Sequence, residues 1–128
     1  MFEAIVLAAG ESRRMGYPKP LLRIDNTTFI ERITSTILQV VPRVTVVIGA
    51  HAERVRPAVA RDSRITIVEN RNYRNGQLSS LKAALPAVSP ECSAVLVHLG
   101  DHPLVRAATF LSVLDAARHQ PAPIVIAR

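Results

Sequence analysis

Short, continuously apolar runs alternate with segments of helical period along this chain. The runs are rich in β-branched residues, which is typical of strands buried on both faces of a sheet. Each of the first four runs is followed within a few residues by a glycine or an asparagine, where a turn is favoured. The pattern predicts five strands, at residues 4–8, 44–48, 65–68, 94–97 and 124–126.

The segments between the strands carry apolar residues at helical spacing. They are residues 29–41, 52–60, 78–85 and 110–117. Thr28 and Glu31 match a capping box before the first helix, and Pro42 is expected to end it. Pro57 interrupts the second segment, which therefore predicts the weakest helix.

Alternating strands and helices predict a parallel α/β sheet with right-handed crossovers. The chain has 128 residues, of which 48% are hydrophobic, and this length predicts a single domain over residues 1–128. Cys92 is the one cysteine, which excludes a disulfide framework and a four-cysteine zinc site. The apolar run at residues 4–9 is far shorter than the roughly 20 residues of a membrane helix. We therefore expect a cytoplasmic protein without membrane contact.

The excess of basic over acidic residues indicates which kinds of ligand or partner the chain could bind. Lysine and arginine number 16 against 10 acidic residues, for a net charge of +6, and aromatic residues make up 4% of the chain. The arginines are scattered and few aromatics are present for base stacking, so we expect no nucleic-acid partner. Arginine also suits phosphorylated small molecules, which are the favoured ligands.

The segment after the first predicted strand is a glycine turn that carries polar and cationic side chains. Ser12 stands where a dinucleotide fingerprint needs a glycine, and Tyr17 stands where a P-loop needs a lysine. Its backbone N–H groups could form an anion-binding nest, with Arg14 and Lys19 neutralising phosphate oxygens. The alternative is a surface loop with solvated charges.

Two later segments also follow predicted strands, at residues 75–81 and 99–104. Asp101 in the second is of a residue type that is common in turns, which is its ordinary interpretation. A zinc site with His98 and His102 is not expected, because the ligand count is short. The serine pair at 79–80 either faces a ligand or forms hydrogen bonds at a helix start.

The stretch Leu7-Ala8-Ala9-Gly10-x-Ser12-x-Arg14-Met15-Gly16, followed by Pro18-Lys19-x-Leu21-Leu22, resembles the signature loop of nucleotidyltransferases. These enzymes couple a nucleoside triphosphate to a phosphorylated acceptor and release pyrophosphate. With the blocks at 76–81 and 99–104, the chain most resembles the molybdenum-cofactor cytidylyltransferases of the MobA-like NTP transferase family. The resemblance implies a three-layer, Rossmann-like α/β fold with a mainly parallel sheet.

The resemblance also implies a role for individual residues. Arg14 and Lys19 would hold the triphosphate with Ser12 and the Gly10 backbone nearby, and Asp101 would bind Mg²⁺. The remaining nucleotide contacts that it implies are main-chain groups of Leu7, Ala8 and Ala9 toward the base, and donors from Gly76, Ser79 and Ser80 toward the base or ribose.

The implied reaction is transfer of CMP from CTP to a phosphorylated pterin acceptor of the molybdopterin type. The alternatives are a nucleotide-binding module without turnover, or an enzyme that uses GTP or a sugar-phosphate acceptor. Family members usually continue after the fifth strand with more sheet, acceptor-binding residues and a second acidic metal ligand. Since this sequence ends at Arg128, we expect a C-terminally truncated version of the fold.

The terminal run at residues 124–126 generates a first prediction. An apolar strand at the edge of a sheet recruits another chain, so we expect self-association into a homo-oligomer through this strand. Multi-angle light scattering over a concentration series measures it. A monomer throughout the series would contradict the expectation.

Overall fold

The computed structural model describes residues 1–11 and 16–119, and in that part a four-stranded parallel sheet forms the centre of the fold. The strands are β1 (Phe2–Ala8), β2 (Arg23–Ile24), β3 (Thr27–Thr28), β4 (Val44–Ile48), β5 (Ile65–Glu69) and β6 (Ala94–Leu99). The sheet order is β5-β4-β1-β6 with every pairing parallel. The first four predicted strands are confirmed, and the fifth, at 124–126, lies outside the described residues.

Four helices flank the sheet in the described residues. They are α1 (Phe29–Ile37), α2 (Ala52–Val55), α3 (Gln77–Ala84) and α4 (Ala107–His119). Short 3₁₀ turns occur at Lys19–Leu21, Arg56–Ala58, Tyr73–Asn75 and Leu85–Ala87. The predicted weakness of the second helix is confirmed, because α2 changes to a 3₁₀ turn at Pro57. Over residues 1–11 and 16–119, none of the helices has the length and apolar character needed to cross a bilayer.

Strand alternation divides the core into two layers. Ala4, Val6 and Ala8 of β1 pack on one face of the sheet with buried residues of α1 and α4. Ile5 of β1 packs on the other face, where Ala84 of α3 is buried. The sheet is therefore covered on both sides, as expected for the three-layer α/β fold.

Helix α1 begins as predicted but ends earlier. The capping box is present: the backbone N–H of Glu31 donates to Thr28 Oγ1, and the Glu31 carboxylate accepts from the Thr28 N–H. The helix ends at Ile37 and not at Val41. The N–H groups of Val40 and Val41 both donate to the Ile37 carbonyl, so the chain continues as a turn, and Pro42 has no N–H with which to extend it. Val41 nevertheless remains buried.

Gly49, directly after β4, lets the ends of two strands come together. A Cβ at this position would lie 2.8 Å from Ala9 Cβ, 2.9 Å from the Ala9 carbonyl oxygen and 2.9 Å from Tyr73 Cβ. The backbone N–H of Ala50 donates to the same Ala9 carbonyl at 3.1 Å. Because Gly49 has no side chain, Ala50 can come close enough to donate this hydrogen bond, and the bond fixes the segment that follows β1.

We predict that Gly49→Ala lowers the free energy of unfolding by about 1–3 kcal/mol, the usual range for overpacking. The atoms that the new methyl group would meet belong to the backbone or to Cβ positions, so they cannot move aside cheaply. Gly10→Ala is the control, because a Cβ there meets no atom of residues 1–11 and 16–119 within 4 Å. Urea denaturation of both variants checks the prediction, which fails if the two variants are equally stable.

Candidate functional site

A cleft of about 260 Å³ opens at the carboxyl ends of β1 and β6. Ligands of open parallel α/β sheets bind at this edge. The walls come from the end of β1, the turn at 19–20, the amino end of α3 and the turn after β6. Three parts of the chain that are distant in sequence thus meet around one space.

The structure brings most of the predicted site residues to this cleft. Those that line it are Leu7, Ala8, Ala9, Gly10, Lys19, Gly76, Ser80 and Asp101. Ser79 is not among the residues that line the cleft, and Ser12 and Arg14 lie outside the described residues. The cleft therefore unites the three segments that follow β1, β5 and β6.

Lys19 and Asp101 form an ion pair in the wall of the cleft. Nζ of Lys19 lies 3.6 Å from Oδ2 of Asp101, and the two side chains are 42% and 34% exposed. Pro18 and Pro20 on either side of Lys19 are buried, so the proline rings fix the backbone from which the lysine projects. A partly exposed ion pair adds little to stability. Its consequence is that opposite charges stand where one ligand can reach both.

The turn that carries Asp101 is anchored on both sides. The N–H of Gly100 donates to the Leu7 carbonyl at 2.8 Å, and a Cβ on Gly100 would lie 3.0 Å from that oxygen. Nε2 of His98 donates to the His102 carbonyl at 2.8 Å. Nε2 of His102 lies 3.4 Å from Asp101 Oδ1. The carboxylate therefore has a cationic or polar neighbour at each oxygen.

Metal ligands other than Asp101 are scarce at this site. Among residues 1–11 and 16–119, no three His, Cys, Asp or Glu side chains are grouped so that they could hold a metal ion. Magnesium typically takes one or two carboxylates and completes its shell with water and substrate phosphates. Asp101 fits that pattern as a single protein ligand.

The amino end of α3 forms the wall opposite β6. Gly76 has a φ of 92°, in the left-handed region that favours glycine, and its N–H donates to the Tyr73 carbonyl. No side chain caps the helix at Gly76. The first-turn N–H groups of a helix offer donors and a partial positive charge to a ligand. The structure places the start of a helix directly after Gly76, and the predicted donation from this helix end to a ligand stays a prediction.

Two further side chains line the same wall, and the sequence analysis gave them no role. Tyr73 and Gln77 stand on either side of Gly76 and border the cleft. Their closeness to Gly76 along the chain was the one signal that could have marked them as site residues. Tyrosine and glutamine are also common near ordinary helix starts, so the residue types alone did not indicate a site.

His51 also escaped the sequence analysis, because its partner is a backbone atom 40 residues away. Its Nε2 donates to the Glu11 carbonyl at 2.7 Å. With the Ala50 N–H on the Ala9 carbonyl, the loop after β4 holds the chain on both sides of Gly10. The start of the predicted phosphate-binding loop is therefore fixed.

Comparison with known proteins identifies relatives over nearly the whole chain. The family model described as the MobA-like NTP transferase domain matches residues 4–128. The molybdenum cofactor cytidylyltransferase of Escherichia coli K12 is 35% identical over 111 residues, covering 87% of this chain and 57% of that protein. The bifunctional protein GlmU of Burkholderia thailandensis is 37% identical over 116 residues, covering 88% of this chain and 25% of that protein.

A solved structure shows the same fold. Rv0371c of Mycobacterium tuberculosis H37Rv superimposes with a TM-score of 0.81 at 31% identity, covering 92% of this chain and 60% of that one. Its complex with manganese gives a TM-score of 0.72 at 30% identity, with the same coverage. This chain thus spans about three-fifths of the E. coli and M. tuberculosis relatives.

The half-buried ring of His98 generates a pH prediction. It packs edge-to-face on Phe110 at 5.1 Å between centroids, and burial is the main cause that lowers the His98 pKa below its ordinary 6.5. Between the folded and the unfolded pKa the unfolded chain binds more protons, so stability falls as the pH drops from 6.5 through the folded value. We expect His98→Gln to reduce this acid destabilisation.

Urea denaturation between pH 7.5 and pH 5 measures the effect. His119→Gln is the control, because that imidazole is 74% exposed on α4. If the pH dependence of stability is the same in His98→Gln and in the wild type, the assignment is wrong.

Proposed function

This chain belongs to the MobA-like NTP transferase family, and we propose that it transfers CMP from CTP to a phosphorylated molybdopterin-type acceptor with release of pyrophosphate. The cytidylyltransferase from E. coli supports this choice of nucleotide and acceptor. The observation that carries the proposal is the pair Lys19 and Asp101, whose opposite charges lie side by side in one cleft at the carboxyl edge of the sheet.

The negative charge that develops during the reaction explains the role proposed for Lys19. An oxygen of the acceptor phosphate attacks the α-phosphorus of CTP, and the bond from that phosphorus to the bridging oxygen breaks. The electron pair leaves with pyrophosphate, so negative charge grows on the α-phosphate and on the leaving group. Lys19 projects from a backbone that two buried prolines restrict, and its compact ammonium group would stabilise that charge. Arg14 and Ser12 are proposed as further phosphate contacts.

Mg²⁺ is the proposed cofactor, with Asp101 as its protein ligand. The carboxylate is partly exposed in the cleft, and a single aspartate with substrate phosphates is a usual arrangement for this ion. When bound, the ion would neutralise charge on phosphate oxygens and orient the triphosphate. The manganese complex of the M. tuberculosis relative supports a divalent ion in this fold.

The nucleoside is proposed to lie between the end of β1 and the amino end of α3. Ala8 and Ala9 have small side chains, which let a ring approach the main chain, and Gly76 and Ser80 lie on the facing wall. A second acceptor class is a sugar phosphate, because nucleotidyltransferases for sugar phosphates share the glycine-turn signature. Pyrophosphate release measured with each acceptor class separates the two.

We predict that Lys19→Ala and Asp101→Asn each lower the rate of pyrophosphate release by about 10²–10³-fold, the usual loss for one electrostatic contributor. The matched controls are Lys82→Ala and Asp115→Asn, which change the same residue types outside the cleft. Both controls should release pyrophosphate at the wild-type rate. Unaltered release in the two cleft variants would contradict the proposed roles.

Binding is tested separately from turnover. A ligand at 100 times its Kd stabilises the folded state by about 2.7 kcal/mol, so CTP with Mg²⁺ should raise the melting temperature by several degrees. GTP, UTP and ATP in parallel samples rank the bases. Binding without turnover would favour the alternative of a nucleotide-binding module, and no response to any nucleotide would contradict the proposal.

A further inference from the structure

The buried amide of Asn70 contacts both serines in the first turn of α3. Asn70 follows β5 and is 4% exposed. Its Nδ2 lies 3.0 Å from Ser79 Oγ and 2.9 Å from Ser80 Oγ. The end of one strand is thereby connected to the helix end that lines the cleft.

A third hydrogen bond determines which terminal atom of the Asn70 side chain is the oxygen and which is the nitrogen. The backbone N–H of Asn72 donates to Asn70 Oδ1 at 2.9 Å. A backbone N–H can only donate, so the Asn70 atom that it contacts must be the oxygen. The NH₂ group therefore faces the serines and donates to both, and each hydroxyl oxygen accepts.

The hydroxyl groups of Ser79 and Ser80 differ in the acceptors that are available to their hydrogens. Oγ of Ser79 lies 2.6 Å from the Gly76 carbonyl and 3.1 Å from the Asn72 carbonyl. A hydroxyl has one hydrogen, and that of Ser79 is committed to these carbonyls of the turn. The Ser79 hydroxyl therefore stabilises the turn before α3.

Ser80 has its hydrogen available. Its oxygen accepts from Asn70, and no hydrogen bond donated by Ser80 Oγ is present among residues 1–11 and 16–119. The residue is 4% exposed, yet it lines the cleft. Because Asn70 approaches the oxygen, the hydroxyl hydrogen is directed away from Asn70.

We propose that Asn70 is a positioning residue that fixes the polarity of Ser80, so that Ser80 donates a hydrogen bond to an acceptor atom on the nucleoside bound in the cleft. This inference rests on the proposed function. It adds that Asn70, and not Ser80 alone, controls recognition of that acceptor atom, without touching the nucleotide itself.

Asn70→Asp reverses the polarity with almost no change of shape. A carboxylate only accepts, so it would take the hydrogens of both serines and of the Asn72 N–H, and Ser80 would no longer donate into the cleft. We expect CTP to bind about 3- to 10-fold more weakly by calorimetry, the range of one neutral hydrogen bond. Ser80→Ala should cause a similar loss.

A double-mutant cycle separates polarity from the added charge. In the Ser80→Ala background, Asn70→Asp should weaken CTP binding much less than in the wild type, because the donor is already gone. Asn72→Asp is the matched control: it introduces the same charge two residues away on an exposed side chain and should bind CTP nearly as the wild type does. Melting temperatures of all variants monitor the fold.

Each outcome decides the inference. Equal losses from Asn70→Asp in both backgrounds mean that charge alone acts, and overturn it. Wild-type affinity in Ser80→Ala overturns it also, even if Asn70→Asp does not fold. In both cases the proposed function stands, since the wild type binds CTP. If the wild type binds none of CTP, GTP, UTP and ATP, the proposed function and this inference fail together.

Discussion

The pairing of β1 on both of its edges is the constraint on which the site depends. Ala8 is in register with Ile48 of β4, and Leu7 is in register with Leu99 of β6, so three strands end at one level. Beyond that level the chain turns at Gly49 and Gly100. Gly49 packs closely against Ala9, directly after β1, and Gly100 packs closely against the last residues of β1. A shift of register on either edge would move Lys19, Asp101 and the α3 amino end relative to one another.

Local signals made most of the fold predictable from sequence. The strands are continuous apolar runs, and the capping box at Thr28 and Glu31 needs only four adjacent residues. Strand order was not predictable, because the runs are alike in composition and their pairing depends on long-range contacts. The β2–β3 hairpin escaped prediction because each strand has two residues, although Asp25 and Asn26 at its turn both adopt a positive φ.

The site was predictable as far as glycine turns and charges could mark it. Lys19 and Asp101 are residue types with an evident chemistry, and each follows a strand. Ser79 and Ser80 could not be told apart, because adjacent helical residues point about 100° apart and the chain alone does not fix the helix rotation. Asn70 and His51 carry no signal of their own, since their partners are hydroxyl and carbonyl groups that become neighbours only in the folded chain.

The ion pair in the cleft also determines how strongly Lys19 and Asp101 together attract a small anion. With Lys19 and Asp101 3.6 Å apart, these two side chains contribute no net charge to the cleft. A bare chloride or inorganic phosphate approaching the ammonium meets the carboxylate as well, and the attraction largely cancels. Under the proposed function, a nucleoside triphosphate that carries its own divalent cation would offer an anion to Lys19 and a cation to Asp101. These two side chains would thus favour a metal-bound polyphosphate over a simple anion.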